Sequence, residues 1–231
     1  LDKRLTSGYS IHSAFTWSKA MALPYGGFTG SNMDPYDRNA SYAPMYNNRA
    51  FAWTLAHEWN LPYGRGLHWG ASASGVKQAA LGGWVFNGIT TVMSGLPVFI
   101  NWSDTSSLNN GGDFGQRPNL VGNPLQNIPS GRWYNPAAFA NPGLYQFGNY
   151  DSGGVVGPAY SSADWALWKQ FTFKSPLQEE TTLQVRFESF NLFNHTNKAN
   201  PDGTADNSTA GQIFNVLSPM RQFQFGVRLV W

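Results

Sequence analysis

Two-residue alternation is the feature of this sequence that most constrains its fold. In residues 223–231 every second side chain is apolar, and the intervening positions are Gln224, Gly226, Arg228 and Val230. This period indicates a β-strand with one apolar face, because successive side chains of a strand point to opposite faces. The segment also has the length of a tilted transmembrane β-strand, which is ~9–11 residues.

The same alternation predicts strands elsewhere in the chain. It is clear in residues 7–19, 49–61, 162–174 and 181–188. It is poorest in residues 84–101, which contain Gly88, Gly95 and Pro97, although we still predict a strand there. After residue 188 the apolar phase reverses at Phe190, which favours a bulge near Ser189.

Helical signals are nearly absent from the sequence. No apolar stripe at helical spacing extends beyond ~10 residues, and no apolar run approaches the ~18 residues of a membrane-spanning helix. Glycine and proline, at 25 and 14 residues, interrupt the candidate stretches. We therefore predict about six or seven antiparallel strands and no helix longer than two or three turns.

The connections between the predicted strands alternate in length. If the C-terminus lies on the periplasmic side, the long connections 20–48, 102–161 and 193–220 are external. The short connection 175–180 is then periplasmic, as is the longer segment 62–83. Outer-membrane barrels have short periplasmic turns and long external loops. The expected fold is thus an all-β, antiparallel segment of a larger outer-membrane β-barrel. If the segment does not close on itself, its first and last strands should be open edges.

Composition limits the possible partners. Charged residues make up only 12% of the chain, about half the usual share for soluble domains. The net charge of +2 is not concentrated in a basic cluster, so nucleic acid is not an expected partner. The absence of cysteine excludes disulfides and thiolate metal sites.

No motif indicates catalysis or a resident cofactor. His57 and Glu58 lack a second histidine at position 61, so we interpret them as residues of the lumen face. The segment 70–74 lacks the last glycine of a nucleophile elbow. Asp202 and Asp206 have the spacing of calcium ligands, but no bidentate glutamate follows, which favours a solvated turn. The expectation is a protein that is not an enzyme and that has no metal or cofactor.

Two groups of side chains are candidates for function. Charged and polar residues on the non-lipid face of the strands should point into a polar lumen, where structural hydrogen bonding is favoured over ligand contact. These residues are Gln184, Arg186, Glu188 and Arg228. Aromatic residues of the external connections could contact a ligand. They are Trp102, Trp133, Tyr134 and Tyr145.

Short motifs occur along the whole chain in a fixed order. They are Trp17-Ser18-Lys19, Leu61-Pro62-Tyr63-Gly64-Arg65-Gly66, Gly82-Gly83-Trp84, Ser94-Gly95-Leu96-Pro97, Gln116-Arg117-Pro118-Asn119, Trp133-Tyr134-Asn135-Pro136-Ala137-Ala138-Phe139, Phe190-Asn191-Leu192-Phe193-Asn194-His195 and Arg221-Gln222-Phe223-Gln224-Phe225-Gly226. In this order the sequence resembles the TonB-dependent receptors, and especially their Oar-like branch common in acidobacteria.

The resemblance implies a location and a set of partners. It implies residence in the bacterial outer membrane and residues 1–231 as the C-terminal part of a barrel of about 22 strands. The signal peptide and the plug domain, which contacts the TonB energy-coupling complex, would lie outside these residues. The end of the chain resembles the signal read by the barrel assembly machinery, through Gln224, Gly226, Leu229 and Trp231. The implied function is energy-coupled uptake of a ligand, which could be a siderophore, an oligosaccharide or a peptide.

A second architecture also accounts for the aromatic content. A soluble, secreted β-sandwich that binds carbohydrate would bury aromatic residues between two sheets and use the external tryptophans and tyrosines to stack on sugars. The two architectures differ in solubility, because a sandwich should stay soluble without detergent, whereas strands with a lipid-facing aromatic stripe should aggregate.

Overall fold

The computed structural model describes residues 2–5, 8–22, 37, 39, 42–103, 117–150, 153–174 and 180–230, with the backbone alone for residues 2–5. Its elements, in chain order, are β1 (Asp2–Leu5), β2 (Tyr9–Trp17), β3 (Met21–Ala22), β4 (Ala43–Pro44), β5 (Phe51–Asn60), α1 (Gly75–Leu81), β6 (Trp84–Met93), β7 (Asn119–Leu120), a 3-10 helix (Pro136–Ala138), β8 (Phe139–Ala140), β9 (Tyr160–Lys174), β10 (Glu180–Phe190) and β11 (Gln222–Val230).

The main sheet is an antiparallel meander. Its seven strands follow the order β1-β2-β5-β6-β9-β10-β11, so each long strand pairs with the ones before and after it in the chain. The pairs β3-β4 and β7-β8 are separate ribbons. Within the described ranges, β1 pairs only with β2 and β11 only with β10, so both edges of the sheet are open. The predicted strand number, pairing direction and open edges are confirmed.

No second large sheet lies against the main one in the part of the chain that the structure describes. Large apolar side chains of the main sheet are exposed as a result, among them Phe225 at 70% and Val227 at 60%. A sandwich would bury one face of each sheet. The β-sandwich alternative is therefore wrong.

The pairing of β10 differs from the prediction. Glu188, Ser189 and Phe190 pair in unbroken register with Gln224, Phe223 and Gln222, so there is no bulge near Ser189. Phe190 simply occupies the polar face at the end of the strand, and the chain then turns at Asn191, whose φ is 50°. The apparent change of phase in the sequence is the end of the strand.

The predicted strand 84–101 is shorter in the structure. β6 ends at Met93, before Gly95 and Pro97. Its weak alternation has a local cause at Gly88, where an added Cβ would lie 2.3 Å from Cδ1 of Trp165. The indole ring of the neighbouring strand takes the place of a side chain at this position, which a glycine makes possible.

The short elements were not predicted from the sequence: the strands β1, β3, β4, β7 and β8 and the helix α1. β1 is only four residues long, which is too short for alternation to be recognised. Helix α1 has seven residues, GVKQAAL, most of them good helix formers. It obeys the predicted limit on helix length. Among the described residues, no helix is long and apolar enough to cross a membrane.

The buried core lies outside the main sheet. It is formed by the described residues of the long connections at one end of the strands, 94–103, 117–150, 153–159 and 191–221, which we call the cap. The buried apolar residues of the cap are Val98, Ile100, Tyr134, Ala138, Phe139, Tyr150, Val155, Ala205 and Ala210. Residues 61–83 connect β5 to β6 at the opposite end of the sheet.

Candidate functional site

The strand register sorts the side chains of the main sheet into two faces. Directly paired residues of neighbouring strands share a face, and the pairs run in phase from β2 to β11. One face, the apolar face, carries mainly aromatic and aliphatic residues. It includes Tyr9, Ile11, Phe15, Trp17, Phe51, Trp53, Leu55, Trp59, Trp84, Phe86, Trp165, Leu167, Phe171, Leu183, Val185, Phe187, Phe223, Phe225, Val227 and Leu229.

The opposite, polar face contains a hollow with a volume of about 430 Å³. Its lining includes Ser10, His12, Glu58, Asn87, Asp164 and Arg186. Asp164 also organises the strand end, because its Oδ1 accepts hydrogen bonds from the Ser162 hydroxyl at 3.0 Å and the Asn191 N–H at 2.8 Å. This concave surface is suited to contact with water and polar ligands, whereas the apolar face is suited to contact with lipid.

The four predicted lumen residues all lie on the polar face. Gln184 pairs directly with Arg228, and Arg186 and Glu188 follow on the same strand. Arg186 Nη2 lies 2.9 Å from Glu188 Oε1, and both side chains are partly exposed. An ion pair with this exposure contributes at most ~1 kcal/mol to stability. The pair fixes the position of the arginine at the edge of the hollow.

His57 lies on the face that its position in the two-residue alternation indicates, and not on the polar face with Glu58. It sits on the apolar face, with its ring centroid 4.9 Å from that of Phe86 and 5.6 Å from that of Trp165. The interpretation of His57 as a lumen residue is therefore wrong, because it shares the parity of Trp59 and not that of Glu58. Glu58 does lie on the polar face, paired with Ser10.

The predicted assembly residues divide between the two faces. Gln224 pairs with Glu188, and Gly226 with Arg186, on the polar face. Leu229 pairs with Leu183 on the apolar face. Trp231 lies outside the described residues. The described part of the predicted signal therefore belongs to the exposed edge strand β11.

Backbone hydrogen bonds join the two connections of the cap. The Asn101 N–H donates to the Gly203 carbonyl at 3.0 Å, and the Ala205 N–H donates to the Asn101 carbonyl at 2.9 Å. The Trp133 N–H donates to the Gly211 carbonyl at 2.7 Å. The described residues of the two connections thus form one folded unit.

Tyr134 is a core residue of this cap. Its exposed fraction is 0%, and its ring packs edge-to-face against Phe139 with centroids 5.8 Å apart. Its hydroxyl donates to the Asp202 carbonyl at 2.8 Å. Burial raises the pKa of the Tyr134 phenol, and the nearby Asp202 carboxylate adds to the effect. Tyr134 offers no ring face to a ligand, which corrects its assignment as an external binding residue.

The aspartates of the cap hold loops together. The Asp202 carboxylate accepts hydrogen bonds from the Thr204 N–H at 2.9 Å, from the Thr209 hydroxyl and from Asn207. Burial alone would raise the pKa of Asp202, but these hydrogen bonds outweigh it and lower the pKa. Asp206 accepts from the Ser103 N–H at 2.9 Å. These contacts suit a structural turn better than a calcium loop.

The other predicted aromatic residues differ in exposure. Trp102 and Trp133 are partly buried against the cap core, and the Trp133 indole N–H donates to the Val156 carbonyl at 2.8 Å. Tyr145 is 77% exposed. Trp102 and Trp133 therefore border the cap core, whereas Tyr145 is a surface residue.

A groove on the cap combines cations with apolar side chains. Its volume is about 430 Å³, and its lining includes Arg132, Trp133, Lys198, Phe214 and Val216 and no acidic residue. The Arg132 guanidinium is held by the carbonyls of Ser208 and Ala210. Lys198 is exposed and forms no ion pair with another described residue. Sequence reasoning found Trp133 but missed Lys198 and Phe214, which lie far from it in the chain and in a polar segment.

The fold and its faces define a class of protein. An antiparallel meander with an exposed apolar face, a polar concave face and long connections at one end has the features of the wall of a membrane-spanning β-barrel. The family model of an outer membrane beta barrel domain matches residues 1–224, and the chain belongs to this family. The protein is accordingly located in the bacterial outer membrane. Searches of curated proteins and of solved structures returned no match.

Proposed function

We propose that this chain is part of a TonB-dependent receptor that binds a ligand at the cell surface and takes it up with energy from the TonB complex. The observation that carries the proposal is the folded cap. A receptor needs rigid loops that hold binding side chains in place. The order of motifs described above supports the same family. In this role the protein is a transporter and not an enzyme.

The groove on the cap is the ligand site that fits this role best. Lys198 and Arg132 supply positive charge without a nearby acidic side chain in the lining, and Phe214 and Trp133 supply apolar contact. Phe214 is 65% exposed, so it can lose a large apolar surface to a ligand. An anionic ligand with an apolar or ring surface satisfies both features.

Uptake measurements test this proposal. Cells that produce the full-length protein are given labelled siderophores, oligosaccharides and acidic peptides, with and without a functional TonB complex. We expect one ligand class to be taken up only when both the protein and the TonB complex are present. Uptake that persists without the TonB complex would contradict the proposal and indicate a passive channel.

A matched pair of variants tests the groove. For the ligand so found, Lys198→Gln combined with Phe214→Ala is expected to raise the Kd at least about tenfold, because a charged hydrogen bond alone contributes ~1.5–3 kcal/mol. Leu144→Ala alters an exposed apolar residue of the cap that does not line the groove, and it should leave the Kd unchanged. Equal effects in both variants would place the ligand elsewhere on the cap.

The segment that resembles the assembly signal should direct assembly. We expect deletion of Trp231 from the full-length protein to reduce the amount inserted into the outer membrane while synthesis continues, because the assembly machinery would read the C-terminal strand. Surface labelling together with total protein measures both quantities. Normal surface levels of the truncated protein would show that Trp231 is not part of the signal.

A further inference from the structure

The connection between β5 and β6 is the feature that the proposed function leaves unexplained. We call residues 61–83 the collar. It lies at the end of the sheet opposite the cap and is longer than a barrel turn needs to be. Large apolar side chains are exposed on it. They are Tyr63 at 42%, Leu67 at 45%, Trp69 at 47%, Val76 at 84% and Leu81 at 52%.

The collar is folded although it is exposed. The Gly64 N–H donates to the Trp69 carbonyl at 2.8 Å, and the Trp69 N–H donates to the Pro62 carbonyl at 3.0 Å. The rings of Tyr63 and Trp69 stack with centroids 4.9 Å apart. Helix α1 forms the C-terminal part of the collar. The exposed apolar side chains are therefore held in a fixed arrangement.

Helix α1 is fastened to the apolar face of the sheet. Lys169 lies on that face and is only 3% exposed, and its Nζ donates to the Ala79 carbonyl at the C-terminal end of the helix. The Trp84 indole N–H donates to the Ala80 carbonyl at 2.8 Å. The Lys169 ammonium also lies 4.8 Å from the ring centroid of Phe171. A cation at this end complements the helix dipole, and the collar thus extends over the outer side of the wall.

The charge of the collar has one sign. It contains Arg65 and Lys77, both exposed, and no aspartate or glutamate. Tryptophan and tyrosine favour the boundary between lipid and water, where cations contact lipid phosphates. The collar has both features, and it continues the apolar face of a barrel that resides in the outer membrane.

We propose that the collar docks on the phospholipid surface beside the barrel, at the membrane boundary opposite the cap. Val76, Leu81 and the Tyr63-Trp69 pair would enter the boundary region, while Arg65 and Lys77 contact anionic headgroups. Lys169 is a charged residue on the apolar face. The arrangement explains its position, because Lys169 binds the docked helix and does not contact lipid. The collar would set the depth of this part of the barrel in the membrane.

A depth measurement in vesicles tests the docking. The chain has no cysteine, so a single cysteine can carry an environment-sensitive fluorophore in the full-length protein once any cysteine outside these residues is replaced. The label is placed by Val76→Cys, or by Gln170→Cys as a matched control that is exposed on the polar face of β9. The vesicles contain phosphatidylethanolamine and phosphatidylglycerol with brominated acyl chains.

We expect bromine to quench the label at position 76 at least about twice as strongly as the label at position 170, because only the former should reach the acyl-chain boundary. Equal quenching at the two positions, or protection of position 76 by a periplasmic extract and not by lipid, would overturn the proposal.

The headgroup contact has its own test. With Arg65 and Lys77 intact, the emission at position 76 should shift further to the blue in phosphatidylglycerol vesicles than in phosphatidylcholine vesicles. Arg65→Gln combined with Lys77→Gln should remove this difference, and both side chains are exposed, so the fold should persist. Inorganic phosphate should not reproduce the shift. Equal emission of the unaltered protein in the two lipids, or a full shift with phosphate alone, would overturn the headgroup contact.

Discussion

Replacing Tyr134 by alanine is expected to destabilise the cap by about 3–5 kcal/mol, the range typical for removal of a large buried aromatic side chain. The ring is fully buried and contacts Phe139, and the cavity would lie between the two connections that form the cap. The main sheet shares little of this core. The measurement is limited proteolysis of the cap in the detergent-solubilised protein as a function of denaturant, with heat-resistant migration of the barrel as a separate readout.

Tyr134→Phe is the matched control for this prediction. It keeps the ring and removes only the hydroxyl that donates to the Asp202 carbonyl, so the loss should be about 1–3 kcal/mol. Replacement of the exposed Tyr145 by alanine should have little effect on stability. If Tyr134→Ala were no more harmful than Tyr145→Ala, the cap would not have the core described above.

Val227→Arg should destabilise the barrel by a sizeable part of ~2–4 kcal/mol, the cost of arginine at a lipid-facing position near the membrane midplane. Val227 is 60% exposed on the apolar face and pairs with Val185 in the middle of the β10-β11 ladder. A charge there would have to be placed in hydrocarbon. Denaturant unfolding of the complete barrel in lipid vesicles measures the change.

The adjacent residue provides the control. Arg228→Gln alters an exposed side chain of the polar face, opposite Gln184, so the expected loss is within about 1 kcal/mol. The two substituted positions are adjacent, and the loss of stability should be much larger for Val227→Arg than for Arg228→Gln. A larger loss for Arg228→Gln would mean that the faces are assigned the wrong way round, and equal losses would mean that no bilayer contacts this strand.

Alternation predicted the strands well where each carries a long apolar stripe. The segment 49–61 corresponds to β5 and the segment 223–231 to β11. It failed at Gly88, where the ring of Trp165 from the next strand stands in for a side chain, and at Phe190, where the strand ends. The residue type at these two positions is decided by a neighbouring strand or by the following turn, so the periodicity of the strand itself does not predict it.

The candidate site divides in the same way. Gln184, Arg186, Glu188 and Arg228 were predicted to share a face because parity within a strand is a local property. The role of Tyr134 was not predictable, since its burial depends on contact with residues near position 202. The groove likewise joins Trp133 to Lys198, and that proximity arises only when the two connections fold together.

The sequence by itself determined the class of protein. The two-residue period follows from the pleat of a strand, whose two faces contact lipid and water. This period, the membrane length of the strands and the unequal connections are all visible in the order of neighbouring residues. Only the tertiary structure decided which residues form the cap core and where the collar lies. The hydrogen bonds and burial that fix Tyr134 and Lys169 join positions far apart in the chain, and their partners are set by folding and not by sequence spacing.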